Sequence, residues 1–440
     1  MINRPPILGQ GIQSSVGQSA VRNVVSQSPT SLVEHCILFT AMVTLPLEKH
    51  IPTVAGMSLS FLIFGMIGAY TIVNRPRALS EVWYHPIFIA AYAFLSVSTL
   101  LEFSSPLSRY DEIIRFAQMI GGAVCVAALC RDRPGVAAGI CGYIGAALLV
   151  SIILYLTSYG MLHEAGETGD FREASRLRGQ MDTGITANKN QLAFMCAQGA
   201  IVALALYLSS RLKGLRIPLL GVGIFCLVAA FLPMSRGAVA IGFVSAATIL
   251  YAHGVKQGKA LIFVAIVGMG IYSLVPDAVW SRMSFTTEVG ETGKQEARAR
   301  VYSTVLNHLP EYVIAGVGAG NYHGWWGLKI GMGNRTGVLG AHNVFLQITI
   351  FWGVLGLLLY LWIVWCVYRA IPLKCGRDEL ALPLLGVLVS LGLLLFVTHV
   401  FYDKWYAFGI GILVGARRWI WPRGIVSAVE ETQEPSPRRM

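Results

Sequence analysis

Apolar runs recur along the whole chain with short polar breaks between them. Stretches that are apolar on every side and approach the roughly 20 residues a helix needs to cross a bilayer predict twelve helices. They fall near residues 32–46, 52–73, 84–101, 113–130, 135–159, 191–209, 217–233, 237–254, 260–276, 343–368, 381–401 and 405–420. Helix is the expected form because hydrocarbon offers no partner to a backbone amide, so each segment must satisfy its own. The chain then divides into a tail at 1–30, nine helices within 31–276 interrupted by a loop at 160–190, a larger loop at 277–341, three helices within 342–420, and a tail at 421–440. The first tail holds Pro5 and Pro6 but no continuous apolar core or small-residue cleavage site, so it does not read as a signal peptide.

Composition narrows the class. The 440 residues are 55% hydrophobic and only 13% charged, with a mean hydropathy of +0.61, whereas a soluble domain carries about 25% charged residues. A soluble enzyme and a disordered chain are both excluded, and an all-α, polytopic membrane protein is expected. The net charge of +11 would suggest nucleic acid in a soluble protein. Here the cations sit between apolar runs, where topology accounts for them without a nucleic acid partner. With the N-terminus inside, the inner connections hold Arg75 and Arg77, Arg131 and Arg133, Arg211, Lys213 and Arg216, Lys256 and Lys259, then Arg369, Lys374 and Arg377, and the tail holds Arg417, Arg418 and Arg423. The outer short loops hold Lys49 beside Glu48, Arg236 alone, and Lys404 beside Asp403. That asymmetry places both termini in the cytoplasm and the two long loops outside. None of the eight cysteines falls in an outside loop, and no metal-ligand spacing occurs.

The larger loop carries its own pattern. Gln295–Leu309 reads as an amphipathic helix with Ala297, Val301, Val305 and Leu309 on one face. Nine glycines follow between 316 and 340, interleaved with Tyr322, Trp325 and Trp326. The string Gly316-Val317-Gly318-Ala319-Gly320 lacks the strand–glycine–helix setting of a dinucleotide site and is expected to be a turn needing positive φ. Ala341-His342-Asn343-Val344-Phe345-Leu346-Gln347 then enters a membrane helix with Gly353 and Gly356 further in, placed to allow close helix packing.

His-Asn, nine residues, Gly, two residues and Gly is similar to the signature of the O-antigen ligase and polymerase superfamily. Arg298-Ala299-Arg300-Val301-Tyr302, Ala315 to Tyr322, Ser235-Arg236-Gly237-Ala238 and Thr186-Ala187-Asn188-Lys189-Asn190 agree with it. These strings cover roughly residues 180–360. Chain size, the single large outer loop and the short tail look most like an O-antigen ligase. The resemblance implies a multi-pass enzyme of the bacterial inner membrane, with a GT-C-like fold and a periplasmic active site. It implies transfer of polysaccharide from an undecaprenyl pyrophosphate carrier to a sugar of the lipid A core, with no metal and no cofactor. A polymerase of the same superfamily remains an alternative. So does a transporter, which predicts ionisable residues in mid-span; apart from Glu34 near an end, the runs hold almost none.

The residue chemistry agrees with that implication. A pyrophosphate leaving group needs cations, and guanidinium binds phosphate oxygens bidentately. Outward-facing candidates are Arg172, Arg176, Arg178, Arg236, Arg282, Arg298, Arg300 and Arg335, with Lys189 beside them. Of these, Arg236, Arg298, Arg300, Lys189, Arg178 and Arg176 are assigned to pyrophosphate. Arg298 is favoured over Arg300 because the family pattern has an arginine four residues before an aromatic, here Tyr302. Lys189 heads a helix, whose N-terminus favours anions. His342 is assigned as general base, since an unperturbed imidazole is neutral near neutral pH. Asn343, Asn188, Asn190 and Tyr302 support the site. A single displacement by the acceptor hydroxyl inverts the anomeric centre, whereas retention would need a carboxylate nucleophile. A metal site built on Glu102, Asp111 and Glu112 is disfavoured for want of an Asp-x-Asp pattern. His163, His308 and His323 are read as structural.

Overall fold

The structure is a computed structural model. It describes residues 32–47, 59–103, 110–158, 189–209, 213–233, 235–255, 258, 262, 297–319, 321–322, 325, 341, 343–370, 379–398 and 404–420. Among these residues the chain is helical with no strand. In chain order the helices are α1 (Leu32–Thr44, followed by one 3-10 turn), α2 (Leu59–Asn74), α3 (Pro76–Trp83), α4 (Pro86–Phe103), α5 (Asp111–Leu129), α6 (Arg133–Ser158) and α7 (Lys189–Ser209). Then come α8 (Lys213–Ala229), α9 (Arg236–Ala252), α10 (Ala297–Asn307), α11 (Leu309–Tyr312), α12 (Val344–Ala370), α13 (Ala381–Leu394) and α14 (Lys404–Ile420).

Among the described residues five helices are long and apolar enough to cross a membrane: Pro86–Phe103, Glu112–Leu129, Arg133–Leu156, Asn190–Ser209 and Val344–Arg369. At 1.5 Å per residue the 26 residues of α6 span about 39 Å, more than the roughly 30 Å of a hydrocarbon core. Shorter apolar helices cover Leu32–Thr44, Leu62–Asn74, Gly214–Ala229, Arg236–Ala252 and Ala381–Leu394. The expected run at 260–276 lies outside the described residues except Ile262. The expected run at 84–101 is α4, and a separate short helix, α3, precedes it; Pro76 and Pro86 each open a helix, where the missing N–H costs nothing.

Small residues bring the helices together. A Cβ on Gly411 would lie 2.7 Å from the Ala123 carbonyl, and one on Gly415 would lie 2.7 Å from the Cys130 carbonyl and 2.8 Å from that of Ala127. α14 therefore meets α5 backbone to backbone, the small-xxx-small contact of membrane helices. Several buried polar groups pair between helices. Trp405 Nε1 donates to Gln198 Oε1, Gln198 Nε2 donates to Ser390 Oγ at 2.9 Å, and the Tyr143 hydroxyl donates to the Trp405 carbonyl at 2.8 Å. Glu34 is 1% exposed and ion-paired with Arg75, the Nη2–Oε2 bond being 2.9 Å. Asp132 Oδ1 caps α6 by accepting from Gly135 N at 2.8 Å.

Candidate functional site

Three helix N-termini that carry predicted site residues meet at one end of the bundle. α7 and α9 run side by side, with Gly242 against Ala197. Counting six residues back along each places Arg236 level with Gln191, next to Asn190 and Lys189. Gly237 lies against Val397, just past the end of α13, and the Leu395 carbonyl two residues earlier accepts from Val344 N at 2.9 Å. The starts of α7, α9 and α12 therefore converge around residues 395–397. Ser235 caps α9, its Oγ accepting from Ala238 N at 3.4 Å, and Arg236 follows as an exposed side chain. Asn343 caps α12, its Oδ1 accepting from Leu346 N at 3.1 Å. A helix N-terminus leaves backbone N–H groups without intrahelical partners and carries a partial positive charge of about half a unit.

α12 is broken rather than continuous. Trp352 (φ −134°, ψ 20°) and Gly353 (φ 64°, ψ −164°) interrupt it, so Gly353 does not serve the close helix packing expected of it. The backbone groups released by the break are taken by the segment after α11. Val317 N donates to the Ile350 carbonyl at 2.8 Å, Gly318 N to the Phe351 carbonyl at 2.9 Å, and Val354 N to the Val313 carbonyl at 2.7 Å. Gly316 (φ 77°) and Gly318 (φ 81°) adopt the positive φ expected of that turn. Non-helical backbone inside a membrane-spanning helix is tolerated only when protein satisfies it, and the docked turn bonds these groups.

Glu102 secures the turn from the α4 side. It is 0% exposed, and its Oε2 accepts from Ala319 N at 2.7 Å and from Trp352 Nε1 at 3.4 Å. A carboxylate weighed for metal binding is thus engaged with the loop and the break. Asp111 opens α5, and Glu112 is 3.8 Å from Arg115. Among the described residues no three His, Cys, Asp or Glu side chains gather as a metal would require.

The segment entering α12 is held on both sides. Ala341 N donates to Gln347 Oε1 at 2.9 Å, and Gln347 is 2% exposed. Tyr322 packs edge-on to Phe351 at 5.1 Å, and burial pushes its phenol well above the ordinary range. Tyr312 donates to the Val305 carbonyl at 2.7 Å, and burial raises its phenol to about 12. The expected helix at 295–309 is α10 at Ala297–Asn307. Val305 is buried as expected, but Leu309 begins α11 and is 36% exposed, because the chain turns at His308. His308 Nδ1 lies 2.6 Å from Glu311 Oε1, and Glu311 Oε2 accepts from Trp325 Nε1 at 3.2 Å.

His342, Arg176, Arg178, Asn188, His163 and His323 lie outside the described residues. Lys189 opens α7 and Arg298 and Arg300 sit in the first turns of α10, but the described positions there are those of the backbone. Asn190 and Tyr302 are half-buried. The residues missed from sequence are Gln347, Tyr322 and Glu102. Gln347 carried a signal, since a glutamine within an otherwise apolar helix requires a partner once buried.

Below the convergence lies an apolar cavity of about 260 Å³ among α4, α5, α12, α13 and α14. Phe88, Phe116, Ile363, Leu395, Ile410 and Leu413 are among its lining residues, with Tyr360 and Tyr406. Leu395 belongs both to the cavity wall and to the anchor of Val344. Tyr406 to Leu413 extends about 10 Å along α14, and apolar cavities of even about 150 Å³ favour hydrocarbon over water. The chain matches no protein-family model and no curated protein sequence.

Proposed function

We propose that this chain is a membrane glycosyltransferase of the O-antigen ligase type with a GT-C-like fold. It moves polysaccharide from undecaprenyl pyrophosphate to a sugar of the lipid A core at the outer face of the bacterial inner membrane. The observation that carries the reading is the meeting of three helix N-termini, at Lys189, Arg236 and Val344, above an apolar cavity. Such an end attracts a doubly charged pyrophosphate through backbone N–H groups and cations together, while the cavity suits a polyprenyl chain. Arg236, Lys189, Arg298 and Arg300 hold the pyrophosphate, and Arg176 and Arg178 are assigned to it as well. His342 accepts the proton of the acceptor hydroxyl as its oxygen bonds to the anomeric carbon. The bond from that carbon to the phosphate oxygen breaks, undecaprenyl pyrophosphate leaves with the electron pair, and the centre inverts. Asn343, Asn188, Asn190 and Tyr302 support these groups.

The break in α12 favours a second reading, because transporters use interrupted helices to bind ions at mid-membrane. Here the released groups at Ile350, Phe351 and Val354 already bond the 313–318 segment, which weighs against it. The test is incubation of purified protein with lipid-linked glycan, lipid A core and a chelator, with analysis of both lipids. Glycan appearing on lipid A core with inverted linkage supports a ligase. Chains lengthening on the carrier instead identify a polymerase, and no covalent change in either lipid removes the glycosyltransferase reading.

A further inference from the structure

The apolar cavity has a second end, away from the helix N-termini. Ile87 on α4, Tyr368 on α12 and Leu413 on α14 line it there, and each stands beside a basic side chain. Arg417 lies one turn beyond Leu413, Arg369 follows Tyr368, and His85 precedes α4. Arg417 Nη1 is 3.0 Å from His85 Nε2, and Ile87 N donates to His85 Nδ1 at 3.4 Å. Both ring nitrogens therefore face donors, whereas a neutral imidazole accepts at only one of them. A phosphate oxygen beside the pair resolves that conflict. The ring then accepts from Ile87 N through Nδ1 and donates from Nε2, while the guanidinium donates to the same anion.

The rings around this end mark the depth of lipid headgroups. Trp83, Tyr84, Trp365 and Tyr368 are all exposed, and exposed Trp and Tyr collect at the boundary between hydrocarbon and water. Trp365 stacks on Tyr368 at 6.1 Å, with the Arg369 guanidinium 5.5 Å from the indole. Because Tyr368 is exposed and also lines the cavity, the cavity wall reaches the outer surface of the bundle there. We propose that this end is a phospholipid site, with the phosphate diester held by Arg417 and His85, Arg369 adding charge, and one acyl chain in the cavity. Basic pockets between membrane helices take phospholipid headgroups on the same principle. The acyl chain enters from the end opposite the one given to the donor, so phospholipid and polyprenyl chain exclude one another. That exclusion rests on the glycosyltransferase reading, whereas the phospholipid site does not.

Full-length protein in detergent is titrated with phosphatidylglycerol carrying a fluorescent acyl chain, and with diacylglycerol of the same chains as the control without phosphate. Wild type is expected to bind phosphatidylglycerol about 10-fold more tightly, the scale of one hydrogen bond to a charged group. Arg417→Gln is expected to abolish that difference. Gly392 lines the cavity, and a Cβ there meets nothing within 4 Å, so Gly392→Leu takes up space without a clash. It is expected to weaken phosphatidylglycerol by about 10-fold, the loss of roughly two buried methylenes. Ala407→Leu fills the cavity from α14; should it fail to fold, Gly392→Leu decides. Wild-type affinity in Arg417→Gln, or in the filled variants, overturns the site. So does displacement of the probe by inorganic phosphate alone, which reduces it to an ion site. Undecaprenyl pyrophosphate is expected to displace the probe. Its failure to do so leaves the phospholipid site standing and overturns the assignment of the donor chain to this cavity.

Discussion

Replacing Gly353 by alanine separates a broken α12 from a continuous one by the sign of the effect. At φ 64° and ψ −164° the residue occupies a region that is nearly glycine-only, costing another residue on the order of 1–3 kcal/mol. A Cβ there would overlap the Ile314 carbonyl and stand 2.8 Å from Ala315 N, atoms of backbone that cannot swing away, and overpacking of this kind adds about 1–3 kcal/mol. The sum is about 2–6 kcal/mol of destabilisation. In a continuous helix the same change would stabilise by about 0.5–1 kcal/mol. Gly68→Ala supplies that contrast internally, because a Cβ at Gly68 on α2 meets nothing within 4 Å. Thermal unfolding in detergent can be followed by thiol labelling, since Cys130 and Cys196 are both 0% exposed and react only when the bundle opens. Gly353→Ala should lower the midpoint by several degrees, while Gly68→Ala leaves it unchanged or raises it. Equal midpoints for the two variants would refute the docking of the 313–318 turn into the break.

Removing Glu34 leaves Arg75 without its buried partner, so Glu34→Ala should cost about 3–5 kcal/mol and show as reduced yield of folded protein and a lower unfolding midpoint. Glu102→Ala takes the acceptor from Ala319 N and Trp352 Nε1, a loss of about 1–3 kcal/mol; Glu102→Gln, which keeps an acceptor oxygen, should be much milder by the same melt. Raising pH tests Tyr312. Its folded-state phenol titrates near 12 against an ordinary 10, so the folded state holds the proton longer. Stability from this group is therefore complete below about pH 10 and lost as pH rises from 10 to 12. Tyr312→Phe should flatten part of the alkaline fall, leaving the part that belongs to Tyr322.

Much of the helical architecture was legible in the sequence because hydrocarbon admits little else. The run expected at 113–130 is a helix at Asp111–Leu129, and that at 191–209 begins at Lys189. The turn at Gly316–Gly318 was legible for a similar reason, since glycine there answers to positive φ. Gly353 was not, because within an apolar run it reads equally as a packing residue or a break, and only the carbonyl of Ile314 against it decides. α3 escaped notice because its eight residues are too few to stand out beside a membrane span. The partners of Glu102 and Gln347 lie in the fold rather than in the pattern: Glu102 bonds a residue 217 positions away. Of the site, Ser235 and Asn343 fall in strings that stand out in the sequence, whereas their capping bonds and the alignment of α7, α9 and α13 that brings the N-termini together depend on the fold.

The central claim is that the end of the bundle where α7, α9 and α12 begin performs glycosyl transfer with His342 as base. The direct measurement is the single-turnover rate of transfer from lipid-linked glycan to lipid A core by wild type and His342→Ala at equal unfolding midpoints. General-base help is worth about 10²–10⁴ in rate, so the variant should fall by that factor while still binding the donor. A His342→Ala protein that transfers glycan within a few-fold of the wild-type rate would contradict the account.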